Sequence, residues 1–178
     1  ILSQVQNLRE QGRFFEAIDL IGYVLESEPQ NEESLLQLAE LYSKIGNWTL
    51  ANYYYSILLN KTVHPSYLTG KITALRQLGL WEEASQYSSD LLEHQKSDPL
   101  AISTLAFHYY QIGEFPKSLG YYDRLSASDT IMLQGVGWCH LMMKNFDKAK
   151  EVFHEVLSKD RGNLSASEGL RVIERQKK

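Results

Sequence analysis

Apolar residues recur at helical spacing in paired stretches separated by short polar breaks, and one pair shows the pattern most fully. Leu35, Leu38, Ala39, Tyr42 and Ile45 lie along one face of a helix. A break at Gly46-Asn47 follows, then Trp48, Ala51, Tyr55 and Leu58 define the inward stripe of a second helix. Such a unit is a helix, a tight turn and a helix folded back on the first. The aromatic after the break returns as Phe14, Trp48, Trp81, Phe115 and Phe146, at spacings of 34, 33, 34 and 31 residues. Two positions before it stand Gly12, Gly46, Gly79, Gly113 and, as the one departure, Lys144. Three positions after it come Ala17, Ala51, Ala84, Ser118 and Ala149, small enough to let two helix backbones approach. Five units therefore fill most of the chain, at about residues 1–31, 32–64, 65–98, 99–129 and 130–163. A tail helix over about 164–175, with Ala166, Leu170 and Ile173 on one face, is expected to cap the last unit.

Two units depart from the pattern. The third places Ser85, Ser88 and Ser89 where others have bulkier residues, which predicts a soft point in the middle of the stack. The fourth is short, because Ser126-Ala127-Ser128-Asp129 runs directly into Thr130. Its second helix must end early, or the fifth unit must dock at a different angle. Since Ile1 already occupies a core place, and the chain does not begin with Met, the first helix is expected to start upstream and the sequence to be a segment of something longer. Asp98 before Pro99 and His64 before Pro65 read as helix starts.

Composition narrows the class of partner. With 43% hydrophobic residues, 22% charged and a net charge of −4 over 178 residues, the chain can bury a core but has no cationic excess to neutralise phosphates, which disfavours nucleic acid. No apolar run reaches the roughly 18 residues a membrane span requires. Lone Cys139 cannot form an internal disulfide; compartment stays open, with a reducing cytosol favoured.

Catalytic or metal chemistry needs convergent ligands or a nucleophile with a base, and the five histidines are dispersed. Cys139-His140 is the tempting pair, but His140 stands at the core place held by Tyr42 and Tyr109 in other units. No cofactor, metal site or enzymatic activity is expected. Glu32-Glu33 and Glu82-Glu83 lie in first turns, where carboxylates complement the helix dipole. The triplets at Asn47, Asn60 and Asn163 fit glycosylation acceptors, a common match, and Asn47 and Asn60 are explained as turn or helix-end residues; Gly137 reads as a close-packing position.

The register of aromatic, Gly and Ala positions, with Tyr42, Ala51 and Tyr55 in the second unit and Glu28-Pro29-Gln30-Asn31 as a connector, resembles the tetratricopeptide repeat family over about residues 1–163. That resemblance implies an all-α, right-handed superhelical solenoid, a single domain over 1–178. First helices would line a concave groove and second helices would form its back. It implies no chemistry, but binding of another protein, as a peptide or helical segment, in the groove. The groove stripe runs from Arg9 through Glu40, Thr73 and Arg76 to Phe107, Tyr110, Trp138 and Leu141. The aromatics would anchor a partner and the arginines orient it. The alternative is that the short fourth unit closes the groove there, or that the tail helix folds over these rings. A clamp for chaperone C-terminal carboxylates is disfavoured, because Gln6, Glu40, Thr73, Phe107 and Trp138 stand where asparagines would be needed. The leading expectation is a non-catalytic interaction scaffold. A substrate-recruiting domain of a larger enzyme or secretion machine, or a secretion chaperone, are its rivals.

Overall fold

In a computed structural model describing residues 2–125 and 129–176, the chain forms helices joined by short turns, with no strand among the described residues. The first compact unit, residues 1–95, holds α1 (Leu2–Glu10), α2 (Phe14–Ser27), α3 (Glu32–Lys44), α4 (Trp48–Leu59), α5 (Pro65–Gln77) and α6 (Trp81–His94). The second, residues 96–178, holds α7 (Pro99–Gln111), α8 (Phe115–Tyr122), α9 (Thr130–Met142), α10 (Phe146–Lys159) and α11 (Leu164–Gln176).

Each aromatic marker opens a helix, at Phe14, Trp48, Trp81, Phe115 and Phe146. The turn before it needs one residue in the left-handed region, as Gly46 is at φ 77°. Lys144 adopts the same conformation at φ 62° despite its Cβ, so this last turn carries strain that glycine avoids. Caps fix the other ends. Asp98 and Asn31 accept from Ala101 N at 2.8 Å and Ser34 N at 2.9 Å, and His64 Nδ1 accepts from Ser66 N at 3.3 Å. Asn47 and Asn163 likewise cap α4 and α11, accepting from Leu50 N and Ala166 N. Ile1 and Ser126–Ser128, named above, lie outside the described residues.

The small-residue positions do what close approach requires: Ala17, Ala51, Ala84, Ser118 and Ala149 are fully buried. In the first unit Val5, Ala17, Ile21, Leu38 and Leu41 form one apolar cluster, and Leu35, Ala39, Ala51, Tyr55, Leu58, Tyr67 and Ala74 form the next. In the second unit the core centres on Phe153, which is fully buried. Its ring fills space that two glycines leave open: an added Cβ at Gly137 or Gly169 would sit 2.6 or 2.3 Å from it. Gly137 is thus a close-packing position, and α11 has a second one. Burying a ring of this size contributes about 3 kcal/mol.

The same device recurs between other helices. Tyr55 of α4 presses against Gly70 of α5, and Tyr122 of α8 against Gly135 of α9, at distances of 2.1 and 2.3 Å from where a Cβ would be. Tyr55, Tyr122 and Phe153 share one register place on the second helices, and Gly70, Gly135 and Gly169 share one on the helices that follow. At that second place the units following Ile21 and Ser88 carry Gln37 and Thr104 instead.

The serine-rich helix α6 keeps its hydroxyls satisfied locally. Ser85, Ser88 and Ser89 donate to carbonyls of Glu82, Ala84 and Ser85. The boundary between the two compact units falls immediately after α6. Helix α8, at 8 residues against 14 for α2, α6 and α10, does end early, as the short fourth unit requires.

A lysine occupies a core place in α5. Lys71 stands in the register of Leu38 and Leu105, its side chain 3% exposed. Its Nζ donates to Ser56 Oγ at 2.6 Å, approaches Glu83 Oε1 at 3.5 Å and lies 5.2 Å from the Tyr87 ring centre. Burial lowers its pKa, opposed by the nearby Glu83 carboxylate.

Candidate functional site

The expected groove residues fall into two groups, one in each compact unit. In the first, Arg9 Nη2 donates to Glu40 Oε2 at 3.0 Å, so the two residues pair with each other across α1 and α3. They border an open cleft of about 680 Å³ with Gln6, Phe14, Lys44 and Tyr55. Thr73 turns its hydroxyl onto Thr69 O at 2.8 Å, and the Arg76 guanidinium lies 5.6 Å from the Trp81 ring centre. The polar half of the predicted stripe is therefore largely engaged in intramolecular contacts.

The aromatic half converges. Phe107 and Tyr110 of α7 stack with centroids 6.3 Å apart, and together with Trp138 of α9 they line an apolar cavity of about 410 Å³. Tyr122, Ile131, Gln134, Gly135 and Ser165 complete the wall. The Trp138 ring stands edge-to-face on Phe153 at 5.6 Å, and its Nε1 donates to Ser165 Oγ at 2.8 Å. That bond satisfies the indole N–H and fixes the ring plane. The tail helix thus meets the rings at Ser165 while the cavity beside them persists. Tyr110 also packs against Phe115, and burial pushes its phenol up, which keeps it a neutral donor.

Leu141 is a correction. It is 6% exposed, buried in the core cluster of the second unit, and does not line the cavity. In its stead the structure supplies Ile131, at 77% exposure a large apolar side chain with little cover. The signal was present in the sequence: Ile131, Gln134, Gly135 and Trp138 lie at i, i+3, i+4 and i+7 on one helix face. Gly135 is small for a packing reason, since Tyr122 occupies the place of its side chain and forms the cavity floor.

Cys139 is buried and donates its thiol to Ser118 Oγ at 3.3 Å, which in turn donates to Ala106 O at 2.7 Å. Burial pushes its pKa up, the opposite of what activates a nucleophile. Burial and, secondarily, Lys148 lower the pKa of His140. Among the described residues no group of three or more His, Cys, Asp or Glu could hold a metal ion, and no helix is long and apolar enough to cross a membrane.

Comparison with known proteins gives a consistent picture. The tetratricopeptide repeat model matches residues 33–61 and 133–162, the spans of α3–α4 and α9–α10. No curated protein matches the chain in sequence. Among solved structures, YrrB, a TPR protein with an unusual peptide-binding site, superposes with a TM-score of 0.82 over 94% of this chain and 88% of its own, at 14% identity. A tetratricopeptide repeat protein from Parabacteroides merdae ATCC 43184 gives 0.80 over 97% of this chain and 70% of its own, at 18% identity. MamA from Desulfovibrio magneticus RS-1 gives 0.77 over 91% and 94%, at 17% identity. The two matches coincide with the helix hairpins α3–α4 and α9–α10, so the chain carries tetratricopeptide repeats at those places and shares the fold of the solved tetratricopeptide repeat structures.

Proposed function

We propose that this chain is a protein-interaction scaffold that holds an apolar segment of a partner protein, with the cavity between α7, α9 and α11 as its anchor point. The observation that carries this reading is the convergence of Phe107, Tyr110 and Trp138 with exposed Ile131 around one apolar cavity. No Asp, Glu, Lys or Arg lines it, so a neutral, bulky side chain of the partner loses no charge solvation on entering. Aromatic walls supply large contact area at low entropic cost, which is why such residues dominate interface energetics. Arg9, Glu40, Thr73 and Arg76 form no part of this anchor; their intramolecular contacts support an ordering role in the first unit.

Affinity capture from native lysate tests the assignment, with the wild-type chain beside Phe107→Ala/Trp138→Ala and beside Ile131→Asp. Ile131 is so exposed that its replacement should leave helicity untouched. Loss of the same captured protein from both variants, at unchanged circular dichroism, is expected. Equal capture by all three would sink the anchor assignment.

A further inference from the structure

The outward faces of the first unit's second helices carry a separate feature. Helices α2, α4 and α6 contain Glu16, Asp19, Glu26, Glu82, Glu83, Asp90 and Glu93 and not a single Lys or Arg. The basic residues of this unit's helices, Arg9, Lys44, Lys71 and Arg76, all stand on α1, α3 and α5. The cations of these helices are therefore confined to one helix type, while acidic residues stand on both. Between α2 and α4 this acidic face is indented by a groove of about 330 Å³, walled by Tyr23, Tyr42 and Tyr54 and flanked by Asp19 and Glu26. Tyr42 and Tyr54 stack in parallel with centroids 5.6 Å apart, and Tyr53 meets Tyr54 edge-on. Tyr23 is 67% exposed, and neither Asp19 nor Glu26 has an ion-pair partner among the described residues.

Gly22 supplies the second observation. It lies inside α2 with an ordinary helical backbone, and a Cβ added there would meet nothing within 4 Å. A mid-helix glycine costs stability relative to alanine. No packing contact requires this one, in contrast to Gly70, Gly135, Gly137 and Gly169. What a side chain at 22 would do is fill the groove that Gly22 helps to line.

We infer that the α2–α4 groove is a docking site for an arginine- or lysine-rich segment of a partner protein, whose cation lies over the tyrosine faces between Asp19 and Glu26. Charge complementarity commits the occupant to a basic peptide: ring faces attract cations, the flanking carboxylates add to that attraction, and no Lys or Arg lines the groove. The site lies within the first compact unit and is independent of the apolar cavity in the second.

Fluorescence anisotropy with a labelled twelve-residue Arg/Gly peptide, and its Lys/Gly and Glu/Gly counterparts, tests this. The Arg and Lys peptides are expected to bind with affinity that falls as salt rises, and the Glu peptide not to bind. Gly22→Leu and Tyr23→Ala, which leave net charge unchanged, are expected to weaken binding about tenfold. Gly22→Leu should melt no lower than wild type, so its loss of binding would not reflect unfolding. Asp19→Asn/Glu26→Gln should weaken binding more than the charge-matched Glu82→Gln/Glu93→Gln pair. Ile131→Asp, which alters the other cavity, should bind these peptides as well as wild type does. Absence of binding by the Arg peptide overturns the inference. So does equal binding by the Gly22 and Tyr23 variants, since that outcome means diffuse attraction to an acidic surface without a groove.

Discussion

Placing a methyl group on Gly70 tests whether the ring-on-glycine contact sets the spacing of α4 and α5. An alanine Cβ there would sit 2.1 Å from Cζ of Tyr55, a ring only 6% exposed and unable to swing into solvent. Overpacking of this kind costs about 1–3 kcal/mol. Alanine regains about 1 kcal/mol of helix propensity over glycine, leaving a net loss of about 1 kcal/mol. Tyr55→Leu alone trims the ring and leaves a partial cavity, at a cost of about 2 kcal/mol. If the two residues acted independently, the double variant would lose about 3 kcal/mol. Because leucine at 55 vacates the space the methyl needs, the double variant is expected to lose only about 1 kcal/mol, a coupling of about 2 kcal/mol. Urea unfolding followed by circular dichroism reads all four corners of the cycle, with the slope checked for constancy. Gly22→Ala is the control: with nothing within 4 Å of its Cβ, it should gain about 1 kcal/mol. Additivity of the Gly70 and Tyr55 changes within about 0.5 kcal/mol would refute the reasoning.

Two further expectations concern buried polar groups. Lys71→Met should be neutral or stabilising near pH 7, because methionine fills the same volume without desolvating an ammonium, and Glu83 keeps water contact at 44% exposure. The folded-state pKa of Lys71 is lowered, so the penalty in the wild type is present at neutral pH and fades as pH rises through that pKa toward 10.5. The variant's advantage should shrink over the same range, and a melting-temperature series against pH that showed the advantage growing would contradict this. Tyr67 donates to Glu32 Oε1 at 2.6 Å, a bond to a carboxylate that pushes its pKa up to about 12. Tyr67→Phe should cost about 1.5–3 kcal/mol below pH 10. The raised pKa means this contribution is full below the unfolded value near 10 and lost as pH climbs through about 12. Wild type and variant should therefore converge in alkali, as urea midpoints will show.

The helices were legible because their markers are local. An aromatic after a left-handed turn residue, and a small residue three places on, state where one helix stops and the next packs, and the structure opens α2, α4, α6, α8 and α10 on those aromatics. Asp98 and His64 could be read as helix starts for the same reason: a cap bonds within three residues of itself. Lys71 was not legible, since its place is defined by partners on two other helices, Ser56 and Glu83, that no spacing rule links to it. Leu141 shows the limit of a stripe drawn along one helix. Trp138 lines the cavity while Leu141, three residues on, is buried in the core, and tertiary packing, which spacing along α9 does not reveal, separates the two. Ser165 joined the wall because α11 brings it to Trp138 Nε1, a contact between residues 27 apart in sequence.

The alternation of ring and glycine has a consequence for how such a chain can be rearranged by duplication or recombination. A hairpin ending in Tyr55 or Tyr122 needs a follower with glycine at the facing place, which Gly70 and Gly135 provide. If the hairpin that begins with α3 were spliced in after α8, it would bring Gln37 to the place of Gly135, against the Tyr122 ring. Splicing the hairpin that begins with α5 after α2 would set Gly70 opposite Ile21 and leave a void. The hairpins look alike as folds but are not interchangeable as parts. Their order along the gene is written in side-chain volume at two positions per junction.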